Sequence, residues 1–371
     1  MMSTMTRSQL LGNVRRAVVK IGTSVLAERP VARIRALAAD VALLRQGGVE
    51  VLIVTSGSIL VGMARLDLKR RPRQIPLLQA SSAVGQVGLM QAYQDALGAH
   101  GIEGAQVLIC HEDLSDRIRF LRSRHTLMAL LDYGVVPVVN ENDSVAVTEI
   151  IESDNDMLAA RIPRLVEADV LVMLTTAEGI YAKSPRKGGR VISVVQDTEA
   201  LARRIQRGAG RHRVQRSLYS KVKAAQAAAS YGVPTIVASG IRPGVLANLL
   251  DDETVGTLLL PTTLRRSRKQ WIAEDVEPRG TIVVGKEARR SLMQGNRSLL
   301  AEGVLRSEGK FHQGDTVRLQ DTDGEEFGRG LVGYGFEELA SIHGKPPEQI
   351  EQLLGYRHSD EVIRRDDLVI L

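Results

Sequence analysis

Aromatic residues and cysteine are both scarce in this sequence of 371 residues. Phe, Trp and Tyr make up 3% of the chain while all hydrophobic residues make up 44%, so the core must be mainly aliphatic. Cys110 is the only cysteine, which excludes an intramolecular disulfide framework and fits a reducing compartment. No apolar run approaches the roughly 20 residues needed to cross a bilayer, and we read no signal peptide at the N-terminus. These absences predict a cytoplasmic chain with no membrane association.

The chain carries a net charge of +6. An excess of positive charge is typical of proteins that bind nucleic acids, and equally of enzymes whose substrates are anionic. Part of the excess lies in basic clusters at 69–73, 203–216 and 265–269. We interpret the first and third clusters as solvated surface and return to the second below.

Short, almost wholly apolar runs alternate with amphipathic stretches over the first two thirds of the chain. Such runs are typical of parallel strands buried on both faces, and their alternation with helices predicts an α/β fold with a mostly parallel sheet flanked by helices. The predicted strands lie at 16–20, 51–55, 105–108, 135–139, 170–174 and 235–238. The predicted helices lie at 116–133, 155–165 and 221–231.

The pattern changes after residue 262, which predicts a division into domains. Residues 1–262 form the α/β domain, and the polar, basic stretch at 263–278 reads as a linker. Residues 279–371 contain shorter runs separated by turn signals, which predicts a small, mainly β domain with one helix. Its predicted strands lie at 281–284, 303–305, 316–319 and 368–371, and its helix at 347–354.

Two lysines and a glycine could hold a phosphate group. Lys20 closes a predicted strand and Gly22 follows it, so that backbone N–H groups could approach an anion whose charge Lys20 neutralises. The GxxxxGK[ST] spacing of a Walker A loop is absent from the chain. Lys221 begins a predicted helix after Ser220, and a second lysine facing the first would suit phosphoryl transfer. The alternatives are a plain turn after the strand and an exposed lysine at a helix start.

Polar side chains also follow the other predicted strands. Asn140–Asp143 come after the strand that ends at Val139, and Glu152–Asp156 open the next helix. Their oxygen and amide groups could grip an amino group, bind Mg²⁺ or orient lysines. Thr55–Ser58 combine hydroxyls with a glycine, which suits anion binding, although Ser56 or Ser58 could simply cap a helix.

Four motifs carry a resemblance to a known family. They are KIGTS (20–24), VTSGS (54–58), VPVVNENDSV (136–145) and SDNDMLAA (153–160). In this order they closely resemble the glutamate 5-kinase family of the amino-acid kinase superfamily, over nearly the whole chain. The second domain is similar to a PUA domain through Gly303-Val304, Gly309, Phe311, Gly314-Asp315 and Val317.

The resemblance implies phosphorylation of the γ-carboxylate of L-glutamate by ATP with Mg²⁺, the first step of proline biosynthesis. Asp156 would orient the two lysines, and these three residues would be catalytic. We expect Asp143 and Asn155 to hold the amino group and α-carboxylate of glutamate respectively, or to share those tasks. The implied ATP contacts are Lys20, Gly22, Thr175, Thr176 and Lys221. The implied glutamate contacts are Ser56, Asp143 and Asn155. We predict no metal site built by the protein itself, expect a homo-oligomer, and consider proline a candidate feedback inhibitor.

The sequence departs from the family pattern at three places. Thr175-Thr176 stands where the family has Thr-Asp, and Ser153 stands where it has Gly. The glycine-rich loop near the nucleotide is replaced by residues 210–220, where Arg211, Arg213 or Arg216 could meet the ATP phosphates instead. Two alternatives therefore stay open. One is a kinase of the same fold with another acceptor, and the other is a weakened kinase acting as a regulator or RNA-binding protein. The scarcity of aromatic residues for base stacking disfavours RNA.

Overall fold

The structure is a computed structural model that describes residues 7, 11–145, 155–182, 188–208, 213–251, 255–261, 277–295 and 297–371. The side chains at 207, 213–216, 250, 251 and 366 lie outside this description. The chain divides into two compact units, residues 1–265 and residues 266–371. Most of the linker predicted at 263–278 lies outside the described residues. Every helix within the described ranges is too short or too polar to cross a bilayer.

The first unit alternates strands and helices along the chain. Its strands are β1 (Arg16–Ile21), β2 (Glu50–Val54), β3 (Gly104–Ile109), β4 (Val136–Glu141), β5 (Val170–Thr175), β6 (Val194–Val195), β7 (Thr235–Ser239) and β8 (Thr257–Leu259). Its described helices are α1 (Thr23–Leu26), α2 (Pro30–Gln46), α3 (Ser58–Arg65), α4 (Ile75–Gly98), α5 (Arg117–Asp132), α6 (Asp156–Val166), α7 (Thr198–Gly208), α8 (Arg213–Ser230) and α9 (Val245–Asp251). Pro30 and Pro76 lie in the first turns of α2 and α4, where a missing N–H costs no helical hydrogen bond.

The strands form a single sheet in the order β3-β4-β2-β1-β5-β7-β8-β6. Neighbours from β3 to β7 pair in parallel, whereas β7 and β8 pair antiparallel. The central strands are buried along almost their whole length because helices cover both faces. One aliphatic cluster packs on the face that carries α2 and α4, and another packs on the face that carries α6 and α8. The predicted α/β fold with a mostly parallel sheet is confirmed.

The second unit is mainly β. Its main sheet has the order β11-β9-β12-β13-β15, and β10 pairs with β14 separately. The strands are β9 (Gly280–Val284), β10 (Leu299–Leu300), β11 (Val304–Gly309), β12 (Thr316–Gln320), β13 (Glu326–Leu331), β14 (Glu361–Ile363) and β15 (Leu368–Ile370). The helices described are α10 (Lys286–Met293), α11 (Phe336–Ile342) and α12 (Pro347–Leu354). The unit has a core of its own, and the predicted mainly β character is confirmed.

Candidate functional site

Four adjacent strands end at one edge of the sheet, and polar residues lie at each of these ends. The strands β4, β2, β1 and β5 are neighbours and run in parallel, so their carboxyl ends lie side by side. Asn140 lies near the end of β4, Thr55 follows β2, Lys20 lies near the end of β1, and Thr175 ends β5. Ligands bind beyond the carboxyl ends of strands in open α/β sheets, so this edge is the candidate site.

Three ionised side chains meet in the interior beside this edge. The Nζ of Lys20 contacts Oδ1 of Asp156, and the Nζ of Lys221 lies 3.1 Å from Oδ2 of the same carboxylate. All three side chains are buried: Lys20 is 1% exposed, Asp156 is 0% exposed and Lys221 is 5% exposed. Asp156 lies in the first turn of α6, where the helix dipole favours a negative charge. The structure therefore brings together the three residues that the sequence predicts to be catalytic.

The charge balance of this cluster favours an anion. Counting these three side chains alone, two ammonium groups and one carboxylate carry one net positive charge. Burying ions is costly, and replacing such groups with apolar side chains often stabilises a protein, so stability does not explain their presence. Lys221 has three N–H protons, of which Asp156 and the Oγ of Ser217, at 3.2 Å, take two. Among the residues that the structure describes, the third proton has no acceptor, so it could meet a ligand.

The expectation that a helix begins at Lys221 is wrong. Helix α8 begins at Arg213, so Lys221 lies about two turns inside it. Residues 213–220 contain neither glycine nor proline and include good helix formers, and they continue the helix toward the N-terminus. The segment that stands in place of the family's glycine-rich loop is therefore partly helical, and this brings Ser217 onto the same face as Lys221.

The predicted contact between arginines and ATP phosphates falls outside the described residues. Arg211 is not described, and for Arg213 and Arg216 only the helical backbone is described. The hypothesis stays a prediction.

A chain of side-chain amides runs through the other half of the site. Asn155 donates from Nδ2 to the backbone carbonyl of Thr55 and to Oδ1 of Asn140, both at 2.7 Å. Asn140 donates to Oε1 of Gln86 at 2.8 Å, and Gln86 donates to Oε1 of Gln106 at 3.0 Å. A backbone carbonyl can only accept, so the Thr55 carbonyl sets which way Asn155 points and thereby the direction of the whole chain.

This direction determines what Asn155 offers to a ligand. Both protons of its Nδ2 are used, and within the described part of the chain no hydrogen bond reaches its Oδ1. Asn155 therefore presents an acceptor and not a donor. An acceptor suits an ammonium group and repels a carboxylate.

A hydroxyl donor lies close by on the loop after β2. Ser56 is buried, and its Oγ has no hydrogen-bond partner among the described residues. The preceding Thr55 is held by a 2.8 Å hydrogen bond between its Oγ1 and the hydroxyl of Tyr93. Burial raises the pKa of Tyr93 well above its usual range, so this hydroxyl stays neutral. Ser56 thus offers an unused hydroxyl donor, and the hydrogen bond between Thr55 and Tyr93 holds its loop in place.

Asp143 lies in the turn after β4 and is held through one oxygen. Its Oδ2 accepts from Ser58 at 2.9 Å and from Ser82 at 2.6 Å. Neither Ser56 nor Ser58 caps a helix, because the N-cap of α3 is Gly57, whose φ of 108° is left-handed. The alternative interpretation of these serines as helix caps is therefore wrong.

The remaining predicted nucleotide contacts lie at the ends of β1 and β5. Gly22 follows β1, and a Cβ added there would lie 3.7 Å from the Nζ of Lys20 and narrow the approach to that ammonium group. Thr175 is half-buried and Thr176 is exposed. Thr175 is the last residue of β5 and Thr176 follows it, and β5 pairs with β1, the strand that carries Lys20.

Several residues of the site were not singled out from the sequence as site residues. Ser82 and Gln86 lie on α4, which was not predicted, and Ser217 lies in the segment expected to be a loop. Asn140 belongs to a polar run that was recognised, but its role between two other amides is visible only in three dimensions. Glycines inside helical sequence, such as Gly62 and Gly85, were an available signal that two helices approach closely.

Known proteins match both units of the chain. The profile of the amino acid kinase family matches residues 15–239, and that of the PUA domain matches residues 280–354. A glutamate 5-kinase from Pelobacter propionicus is 42% identical over 374 residues, covering 98% of this chain and 100% of the relative. One from Myxococcus xanthus is 43% identical over 382 residues, and both chains are covered fully. Among solved structures, an isopentenyl phosphate kinase is 18% identical, has a TM-score of 0.44, and covers 66% of this chain and 99% of its own. That last likeness is too weak to bear on the substrate.

Proposed function

The chain belongs to the glutamate 5-kinase family, and from this premise we propose that it transfers the γ-phosphoryl group of ATP to the side-chain carboxylate of L-glutamate. The products are γ-glutamyl phosphate and ADP. The observation that carries the proposal is the buried contact of Lys20 and Lys221 with one carboxylate, Asp156, at the carboxyl edge of the sheet.

In the proposed reaction, a glutamate carboxylate oxygen forms a bond to the γ-phosphorus, and the bond to the β,γ-bridging oxygen breaks. The nucleophile is already ionised at neutral pH, so the reaction needs no strong general base. Negative charge spreads over the equatorial oxygens of the group in flight, and two ammonium groups can stabilise it. We assign Lys20 and Lys221 to this task, with Asp156 fixing their positions.

The acceptor end supports an amino acid with a free ammonium group. The Oδ1 atoms of Asn155 and Asp143 are both acceptors left over by the hydrogen bonds that hold these side chains. We therefore propose that both residues bind the ammonium group, so that they share one task. The unused donor of Ser56 would then meet the α-carboxylate. We propose that Gly22, Thr175 and Thr176 adjoin the nucleotide.

We propose that Mg²⁺ enters with ATP. The described residues contain no group of three or more His, Cys, Asp or Glu side chains placed to hold a metal ion. Both oxygens of Asp156 already contact ammonium groups. Mg²⁺ commonly keeps several waters and is bound through substrate phosphates, and that mode requires no protein cage.

The proposal is tested by ADP formation from ATP with L-glutamate as the acceptor, combined with hydroxylamine trapping of the acyl phosphate. We expect ADP and trapped hydroxamate to form in equal amounts and only when glutamate is present. L-Aspartate, shorter by one methylene, and N-acetylglutamate, which lacks the ammonium group, are the matched controls. Glutamate-independent ADP formation, or faster turnover of another acceptor, would overturn the proposal. Feedback inhibition by proline and homo-oligomerisation stay predictions; added proline and the mass in solution test them.

A further inference from the structure

Two buried serines face the carboxylate of Asp143 from neighbouring helices. Ser58 begins α3 and Ser82 lies in α4, and they are 2% and 3% exposed. Their Oγ atoms lie 2.8 Å from each other, and 2.9 Å and 2.6 Å from Oδ2 of Asp143. Each hydroxyl has one proton, so two protons serve three contacts; when both are donated to Oδ2 of Asp143, the contact between the two Oγ atoms is not a hydrogen bond. We call Ser58 and Ser82 the serine pair.

Glycines at the crossing of α3 and α4 make this convergence possible. A Cβ added to Gly62 would lie 1.7 Å from the carbonyl oxygen of Ser81, and one added to Gly85 would lie 1.8 Å from that of Ser58. Both distances are far below van der Waals contact, so only glycine fits at these positions. The two backbones consequently come close enough for two short hydroxyl side chains to reach the same oxygen. The close crossing of the two helices is therefore what allows the serine pair to form.

The serine pair binds only one of the two carboxylate oxygens. Asp143 lies in a partly exposed turn, where its side chain would otherwise sample several rotamers. Two hydrogen bonds to Oδ2 restrict that freedom and leave Oδ1 without a hydrogen bond from any described residue. The carboxylate is held ready before a ligand arrives, which lowers the ordering cost of binding.

We propose that Ser58 and Ser82 are positioning residues that orient Asp143 toward the ammonium group of the substrate and thereby select amino-acid acceptors over plain dicarboxylates. This inference rests on the proposed function, because glutamate is the substrate that carries the ammonium group. The serines act through Asp143 and not by touching the substrate. The α3–α4 crossing then serves specificity in addition to packing.

The experiment compares glutamate with glutarate, which lacks the amino group, as acceptors for the full-length wild type and for Ser58→Ala, Ser82→Ala and the double variant. Ser81→Ala is the matched control, because Ser81 is equally buried in α4 but donates to the backbone carbonyl of Leu77. We expect the double variant to raise the KM for glutamate about tenfold, because hydrogen bonds to a charged group are lost. We expect kcat and the KM for ATP to change little, and the preference for glutamate over glutarate to fall by a similar factor.

A second measurement separates positioning from folding. In an Asp143→Ala background, removing the serine pair should have no further effect on the KM for glutamate, because residues that act through one group are non-additive. An additive effect would overturn the proposed role of the serine pair but leave the proposed function standing. An unchanged glutamate-to-glutarate preference in a double variant that melts like the wild type would do the same. If the double variant fails to fold, the glutamate-to-glutarate preference of the single variants tests the proposal instead. If the wild type neither phosphorylates nor binds glutamate, the proposed function fails and the serine pair fails with it.

Discussion

The two halves of the candidate site use different chemistry at the same edge of one sheet. The half around Lys20, Asp156 and Lys221 consists of buried full charges. The other half, which we call the amide half, combines the neutral amides of Asn140 and Asn155, joined by a hydrogen bond, with the carboxylate of Asp143, which is held by two serine hydroxyls. On the proposed function, the two halves meet different demands: a transferred phosphoryl group needs its negative charge neutralised, and an amino acid needs hydrogen-bond donors and acceptors that point toward it.

The halves also differ in how their geometry is fixed. The charged half depends on one carboxylate that holds two long, flexible side chains, so it has a single central residue. The amide half is anchored by a backbone carbonyl at Thr55, and each partner restrains the next. A change in the first half should therefore affect the rate of the chemical step, and a change in the second should affect the binding of the acceptor. This contrast can be tested directly.

The largest effect is expected in the charged half. Lys20→Ala and Lys221→Ala should each lower kcat by about 10²–10³, because the lost ammonium group acts mainly in the transition state. Lys223→Ala is a suitable control, because this exposed lysine lies on the same helix and stacks on Tyr219, 5.7 Å from the ring centre. Steady-state kinetics in both substrates is the measurement. A Lys221→Ala enzyme with wild-type kcat would remove this residue from the catalytic group.

In the other half, Asp143→Ala should raise the KM for glutamate about 10- to 100-fold, because a charged hydrogen-bonding partner of the ammonium group is lost. The KM for ATP should change by less than about threefold, since no phosphate contact is altered. Initial rates over a matrix of both substrate concentrations give the two constants. Equal increases in both would contradict the division of the site into two halves.

Removing the second unit should reduce the kinase activity only slightly. All the residues assigned to either half lie before residue 262, so we expect a fragment ending near that residue to fold and to phosphorylate glutamate at a rate within about threefold of the full chain. Circular dichroism and the ADP assay measure the two properties. A fragment that is folded yet inactive would mean that the second unit contributes to catalysis.

The smallest effect concerns the thiol beside the amide half. Burial, with neighbouring carboxylates such as Glu141 adding to it, raises the pKa of the Cys110 thiol to about 11. An acid with a raised pKa keeps its proton, so Cys110 should remain a neutral thiol between about pH 7 and pH 9 and react slowly with iodoacetamide. Mass spectrometry of labelling against pH, with glutathione as the reference thiol, measures this. Rapid labelling at pH 8 would show that the site opens around β3.

More residues of the charged half than of the amide half could be predicted from the sequence. Lys20 lies at the end of an apolar run and Asp156 lies in a cluster of polar residues, and such positions are visible in one dimension. Lys221 was singled out at a predicted helix start that the structure places at Arg213. The family resemblance then supplied their roles. The α/β fold was equally accessible, because the alternation of buried strands and helices is a local pattern.

The partners of the second half could not be predicted in the same way. The bonds from Asn140 to Gln86 and from Ser82 to Asp143 link residues more than 50 positions apart, and nothing local in the sequence signals them. The start of α8 was predicted incorrectly because the family pattern suggested a loop where local helix propensity favoured a helix. Long-range hydrogen bonds depend on how elements cross, and crossing is set by packing.

The amide chain ends at the surface, on the edge strand β3. Gln106 is exposed, yet it is connected through Gln86 and Asn140 to Asn155. Since Gln86 donates to it, this outermost position must supply an acceptor. Gln106→Glu keeps the direction of every bond, whereas Gln106→Lys offers only protons to a group that is itself a donor. We therefore expect the direction of this hydrogen bond, in addition to size and hydrophobicity, to decide which substitutions this solvent-facing site tolerates.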